Sequence, residues 1–243
     1  MLISLHLPKT AGTRFRGLLE AHFGDGLVTD YADRPLHESV SARRRRAVKA
    51  GLGLLLQPRR LQGAEAVHGH FLAIKYSLWS GGPRWRRVTW LRDPVERLAS
   101  HYHFWLRDYD PESAGVLHRR VVEEGWSLER FCLGPELRDV YRQFLWGVPL
   151  ARLDFVGITE HYDSDVEDFA QHILGCSTAS LAAVGDAGNG SANANANPAA
   201  RERYIDDPDL RRRIERHHSA DMAIYRHALR LRERRVTLRA DHA

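Results

Sequence analysis

Residues 8–13, Pro8-Lys9-Thr10-Ala11-Gly12-Thr13, combine one cation, two hydroxyls and two small residues in six positions. Placed between a strand and a helix, such a segment makes an anion site. The first amides of a helix have no intrahelical acceptor, and its dipole puts partial positive charge there. Small residues let the backbone approach the anion's oxygens. Lys9 adds a full charge, and Thr10 and Thr13 add hydroxyl donors. The lysine comes first and the leading glycine is missing, so this is not the G-x-x-x-x-G-K-[ST] loop of nucleotide triphosphatases. Taken alone, the segment also fits a plain tight strand-to-helix turn.

A second candidate anion site lies in Thr89-Trp90-Leu91-Arg92-Asp93-Pro94-Val95-Glu96-Arg97-Leu98-Ala99-Ser100. The pattern reads as a strand running into a well-capped helix, so Arg92 projects from the strand's C-terminal end, where open α/β sheets bind ligands. Ser100, about two turns into the helix, is placed to offer a hydroxyl to the same anion. An ion pair of Arg92 with Asp93 or Glu96 is the competing expectation.

The third group is His68-Gly69-His70, two imidazoles on one side of a strand end. A histidine with a pKa of about 6.5 is largely neutral at neutral pH and suits general-base work. The glycine between them is expected to give an acceptor room. There are 14 histidines in the chain, so most have other roles. The pair also fits a metal site lacking a placed third ligand, or ordinary strand-end residues. His101 and His103 are expected to be structural or to face a substrate.

These groups need strands and helices to hold them. Leu2 to Leu7 reads as a strand with Ile3, Leu5 and Leu7 on one face, and a helix follows from Thr13 through Phe15, Leu18, Leu19 and His22. Ala42 to Arg60, carrying Arg43 to Arg46 and Leu54 to Leu56, predicts a peripheral helix with a solvated basic face; a basic amphipathic helix touching a membrane is the alternative. Ala64 to His70 predicts the next strand, Leu72 to Trp79 a helical piece, Gly81-Gly82-Pro83 a turn and Arg87 to Leu91 another strand. Asp93, Pro94 and Glu96 form an N-cap, a first-turn proline and a capping-box spacing. The stripe Val95, Leu98, Ala99, Tyr102, Trp105 and Leu106 faces the core. Leu153 to Ile158 predicts a fourth strand, and Ser164 and Glu167 a capping box before a helix. Residues 177–200, rich in Ala, Gly, Ser and Asn, predict a loop, and 208–232 a helical C-terminal part. Alternating strands and helices give a P-loop-like three-layer α/β/α fold, with a central mostly parallel sheet and one domain over residues 1–243.

Together, the two anion motifs resemble those of the sulfotransferases that use 3′-phosphoadenosine 5′-phosphosulfate (PAPS). P-K-T-A-G-T is similar to their 5′-phosphosulfate loop, and R-D-P-x-x-R-x-x-S to their 3′-phosphate motif. The resemblance is closest to the carbohydrate enzymes, the heparan sulfate and uronosyl 2-O-sulfotransferase branch. Val67-His68-Gly69-His70-Phe71 and Phe155-Val156-Gly157-Ile158-Thr159-Glu160 also resemble that branch, with a weaker echo at Asp221 to Tyr225. The resemblance implies that Lys9, Thr10, Ala11, Gly12 and Thr13 hold the 5′-phosphosulfate, with help from Arg14. Arg92 and Ser100 would hold the 3′-phosphate. It implies His70 as base, His68 assisting or orienting the acceptor, and Lys9 as the charge at the bridging oxygen; the donor leaves as 3′-phosphoadenosine 5′-phosphate (PAP), and no metal takes part. Two departures stand out. The Asn-rich loop has no clear counterpart of the relatives' basic closing loop, leaving Arg201 or Arg203 as weak substitutes. The Golgi enzymes' N-terminal membrane anchor is also missing, which implies a soluble bacterial relative.

Composition bounds the partners. The formal net charge is +5, which suits an anionic ligand. Only Lys9, Lys49 and Lys75 are lysines; the arginine excess fits phosphate binding, but also compositional bias along the whole chain. Two cysteines make neither a disulfide framework nor a four-ligand zinc site. No stretch approaches a membrane span of about 20 apolar residues, and the strand-like start leaves no room for a signal peptide, so a cytoplasmic protein is expected. The expected acceptor is a hydroxyl-bearing glycan or glycoconjugate, chosen by loops such as Arg107 to Gly115 and 177–200. Nucleic acid is not an expected partner, since no zinc finger, helix-turn-helix or stacking platform is evident. The rival functions are an ATP-dependent P-loop-type kinase and a non-enzymatic polyanion binder acting through Arg43 to Arg46.

Overall fold

A computed structural model describes residues 1–33, 39–77, 85–179 and 204–240 of the chain. Five short strands, β1 (Leu2–Leu5), β2 (Leu27–Asp30), β3 (Ala66–Gly69), β4 (Arg86–Leu91) and β5 (Phe155–Ile158), form one sheet in the order β2-β3-β1-β4-β5. Every pair is parallel, with Leu5 opposite Gly69 on one side and Thr89 on the other. All five strands therefore end at one edge.

The strands are buried on both faces, as parallel sheets are when helices cover them. Leu2, Ala66, Val88, Trp90 and Phe155 pack against Phe15 and Leu19 of α1 (Gly12–Phe23) and Tyr162 and Phe169 of α8 (Tyr162–Phe169). The opposite face carries Ile3, Leu5, Val67 and Leu91, joined by Leu7. It is covered by α2 (Val40–Leu56), α3 (Ile74–Ser77), α4 (Pro94–Arg107), α5 (Val116–Glu123), α6 (Leu128–Leu133) and α7 (Val140–Phe144). Two C-terminal helices, α9 (Pro208–His217) and α10 (Ser219–Ala240), complete that layer. The three-layer α/β/α arrangement expected from the alternation of elements is the one observed.

Several local expectations need correction. Strand β2 is not expected from the sequence pattern: this short edge strand exposes Val28 and Thr29 and lacks an apolar run. Nor does the pattern predict helices α5 to α7. The helical C-terminal part is two helices, broken at His218, and runs on to residue 240. Asp93 caps α4, accepting from the amides of Val95 (2.9 Å) and Glu96 (3.2 Å). Glu96 does not close a capping box, because it is drawn to Arg211, and Glu160 takes the Asp93 amide at 2.7 Å instead. Ser164 is no cap: α8 starts two residues earlier, and the Ser164 hydroxyl donates to the His161 carbonyl. Leu106 is 42% exposed, at the edge of its stripe. Arg43 is buried and reaches Gln143, so the basic run on α2 is not wholly solvated. The turn at residues 81–83, residues 78–79, and most of 177–200 lie outside the described residues.

Candidate functional site

The loop from β1 to α1 turns through two non-glycine residues of positive φ, Lys9 at 67° and Ala11 at 61°. Such conformations cost free energy and collect at functional turns. Here they bring the chain onto the start of α1, where the amides of Gly12, Thr13 and Arg14 take no acceptor among the described residues. Thr10 is fully buried, and its hydroxyl donates to the Leu7 carbonyl at 2.9 Å. That corrects one expectation: the Thr10 side chain braces the loop, its proton already committed. Thr13 is exposed at the helix start.

Lys9 extends over the Phe104 ring of α4, its Nζ 4.0 Å from the centroid. Burial, then the charges of Arg107 and Arg92, push its pKa down to about 8. The two anion motifs thus occupy one edge of the sheet, beyond the hydrogen-bonded neighbours β1 and β4, and their cations feel each other. Asp108 offsets part of this repulsion, and two like charges held together form a site that an anion relieves further.

Arg92 remains half-buried, its guanidinium 5.5 Å from the Tyr204 ring. The anticipated ion pairs to Asp93 and Glu96 do not form. Arg211 of α9 takes both carboxylates, at 2.6 Å and 3.0 Å. No described carboxylate lies within ion-pair distance of Arg92. Its backbone is gripped by the buried Tyr141 hydroxyl, which accepts from the Arg92 amide and donates to its carbonyl. Ser100 is 9% exposed on α4, on the helix side of Glu96, His103 and Arg107 and away from the apolar stripe.

His68 and His70 do lie together, but in unequal settings. His68 is 1% exposed, its Nδ1 2.8 Å from the Ser4 hydroxyl, and burial followed by His70's charge lowers its pKa to about 3. A ring so enclosed does not touch an acceptor, which corrects its expected orienting role. His70 is half-buried, and its Nδ1 lies 2.6 Å from the His6 carbonyl. A carbonyl only accepts, so Nδ1 carries the proton and Nε2 keeps a lone pair. Burial lowers the His70 pKa, partly offset by that hydrogen bond, so the ring is neutral at neutral pH. Gly69 does not make room for an acceptor: a Cβ there would stand 1.8 Å from the Asp30 carbonyl of β2.

Three further residues complete this region. The His6 ring stacks on both His68 and His70, with centroids 5.0 Å and 4.3 Å away. Tyr31 lies edge-on to His70 at 4.9 Å, its hydroxyl 3.2 Å from His6 Nδ1. Tyr204 covers Arg92. His6 directly precedes the Leu7-Pro8-Lys9 stretch, a signal available from the start; Tyr31 and Tyr204 have no local signature. His101 is buried against Trp105 and Phe131, as a structural residue, whereas His103 is exposed and stacks on Tyr204.

Arg14 is engaged elsewhere, donating to Asp163 at 3.1 Å and lying 4.3 Å over the Tyr162 ring. Its exposed side chain runs from α1 toward α8, leaving its backbone amide at the loop. Arg201 and Arg203 lie outside the described residues. A cleft of about 330 Å³ adjoins Lys9's aromatic platform, lined by Phe104, Trp105, Asp108, Asp110 and His118 among others. Among the described residues, no three or more His, Cys, Asp or Glu side chains converge as a metal site. No helix there is long and apolar enough to cross a membrane.

No family model matches this chain, and no curated protein matches it.

Proposed function

We propose that this chain is a sulfotransferase that moves a sulfuryl group from PAPS to a hydroxyl, on a glycan or glycoconjugate. One observation carries the proposal: Lys9 and Arg92 stand beyond neighbouring parallel strands, close enough that Arg92 depresses the Lys9 pKa. A nucleotide with phosphates at both ends of its ribose meets both cations at once. The open amides of Gly12 to Arg14 and the Thr13 hydroxyl add donors on the 5′ side. Arg92, whose neighbours Asp93 and Glu96 are taken by Arg211, and Ser100 serve the 3′ side.

PAPS supplies the activated sulfuryl group. His70, carrying its proton on Nδ1, offers Nε2 to the acceptor hydroxyl and takes its proton. The acceptor oxygen bonds to sulfur as the bond from sulfur to the phosphate oxygen breaks. Lys9 faces the negative charge left on PAP, where fixed charge is often the largest catalytic contribution. The cleft beside Phe104 offers aromatic surface against which a sugar can lie.

A kinase reading needs a carboxylate at a strand end free to hold magnesium. Asp30, at the end of β2, is instead held by Lys75 at 2.7 Å and by the Tyr76 hydroxyl at 2.8 Å. A cytoplasmic setting belongs to the same proposal, supported by two free cysteines, Cys132 and Cys176.

The test is transfer of radiolabelled sulfate from PAPS into a panel of acceptor glycans, beside calorimetry with PAP and ATP. The expected results are labelled glycan and binding of PAP in preference to ATP. His70→Ala should lower turnover by about 10²–10⁴-fold in a folded protein. Magnesium-dependent ATP binding with no sulfate transfer overturns the proposal in favour of a kinase. Polyanion binding indifferent to PAPS overturns it in favour of a simple binder.

A further inference from the structure

Gly12 and His6 stand in a relationship that phosphate binding alone does not explain. On the open start of a helix, a glycine is ordinarily read as letting an anion approach. Here a Cβ on residue 12 would stand 1.6 Å from His6 Nε2 and 2.0 Å from its Cε1. The space is already filled by the His6 imidazole, so alanine at position 12 is possible only if that ring leaves.

The strand pattern explains why the ring lies there. Side chains alternate along β1, and Ser4 and His6 point to the face covered by α1. Ser4 meets His68 on that side, and His6, one step further along, passes beneath the first turn of α1. The same ring stacks on His70 at 4.3 Å with 29° between planes, and on His68 at 5.0 Å with 17°. The His6 backbone carbonyl holds His70 Nδ1 at 2.6 Å. One residue therefore touches the anion loop with its ring edge and the base with both its ring face and its carbonyl.

We propose that His6 is a positioning residue that sets the register between the anion loop and the His70 base, through a ring wedged between Gly12 and His70. The inference rests on the sulfotransferase reading for its chemistry, where loop and base must approach opposite sides of one sulfur atom. The ring acts by its shape. Burial first, and then the neighbouring charges of His70 and His68, keep it neutral well below its ordinary range. The charged groups that act on it, His70, His68, Lys9 and Arg16, all disfavour its protonation, and the Tyr31 hydroxyl lies 3.2 Å from its Nδ1.

Three variants test this: His6→Ala, His6→Phe and Gly12→Ala, with steady-state kinetics across pH and calorimetric PAP binding. His6→Ala keeps the carbonyl but empties the wedge. Its expected effect is a roughly 10- to 100-fold loss of kcat, the scale of an ångström of misplacement, with KM for PAPS within about threefold. Water then reaches His70, relieving the burial that lowers its pKa, so the acid limb of kcat/KM moves to higher pH. His6→Phe restores a flat ring of similar reach and is expected to recover most of kcat and the original acid limb. Gly12→Ala displaces the same ring and should shift the acid limb as His6→Ala does.

A His6→Ala protein with wild-type kcat and pH profile overturns the inference. So does a His6→Phe protein as impaired as His6→Ala, because nitrogen chemistry rather than shape would then be required. Failure of the underlying reaction is told apart by the wild-type chain: if it transfers no sulfate, the sulfotransferase reading falls. The wedge is then judged by NMR titration of His70, whose pKa should rise in His6→Ala and return in His6→Phe; an unmoved His70 overturns the wedge.

Discussion

The Tyr141 hydroxyl satisfies both backbone polar groups of Arg92, accepting from its amide at 3.0 Å and donating to its carbonyl at 2.7 Å. Tyr141 is fully buried, and its own amide is held by the Asp221 carboxylate at 3.0 Å. A chain of three residues from α10, α7 and the end of β4 thus fixes where the Arg92 guanidinium starts. Tyr141→Phe keeps the packing and strands two backbone groups, at a cost of about 1–3 kcal/mol each where water does not replace the partner. The expected outcome is a lower urea midpoint and PAP binding weaker by about tenfold. Unchanged PAP affinity would show that the clamp does not position Arg92.

Arg211 gives a second prediction. By taking Asp93 and Glu96 it removes the two carboxylates nearest to Arg92 in sequence. Arg211→Met leaves both anions uncompensated beside the proposed 3′-phosphate site. PAP should then bind at least tenfold more weakly, with a smaller deficit at high salt, where charge repulsion is screened. Arg211→Lys, which keeps the charge and loses the planar fork, should fall in between.

The Lys9 pKa sets an alkaline limit. A lysine is charged below its pKa, so Lys9 carries its cation at neutral pH and loses it as pH rises through about 8. If that charge faces the departing phosphate, kcat/KM falls on the alkaline side with an apparent pKa of about 8. In kcat the limb moves upward, because a bound anion favours the charged form. Lys9→Arg removes the limb from this range, and Lys9→Ala lowers turnover by about 10²–10³-fold. An alkaline limb that persists in Lys9→Arg belongs to another group.

Thr10 separates loop stability from chemistry. Its hydroxyl, fully buried, is spent on the Leu7 carbonyl. Thr10→Val leaves that carbonyl unpaired and should cost about 1–2 kcal/mol, read as a shifted urea midpoint at constant slope. Thr10→Ser should stay within about 0.5 kcal/mol of wild type. A Thr10→Val protein of full stability but without PAP binding would return the hydroxyl to the ligand.

Short segments with strong local rules were legible in the sequence. The strand-loop-helix start, the Asp93 cap, the Ile3-Leu5-Leu7 face and the pairing of His68 with His70 all follow from periodicity and capping chemistry. Strand β2 was not, because it lacks the buried apolar run of β1, β3 and β5, and helices α5 to α7, of five to eight residues, carry too few turns of periodic surface to stand out from loops. The candidate site was legible as cations at two strand ends. The partners of those cations were not, because Arg211, Tyr141 and Tyr204 lie 49 to 119 positions from Arg92.

By itself the sequence determined the alternation of elements and the residue types at the ends of β1, β3 and β4, since these depend on neighbours a few positions apart. Only the tertiary structure decided that β1 and β4 are adjacent, that Arg92 escapes its neighbouring carboxylates, and that Gly12 yields its space to His6. Each of these turns on a contact whose energy is felt only after distant segments have packed, and no spacing along the chain encodes it.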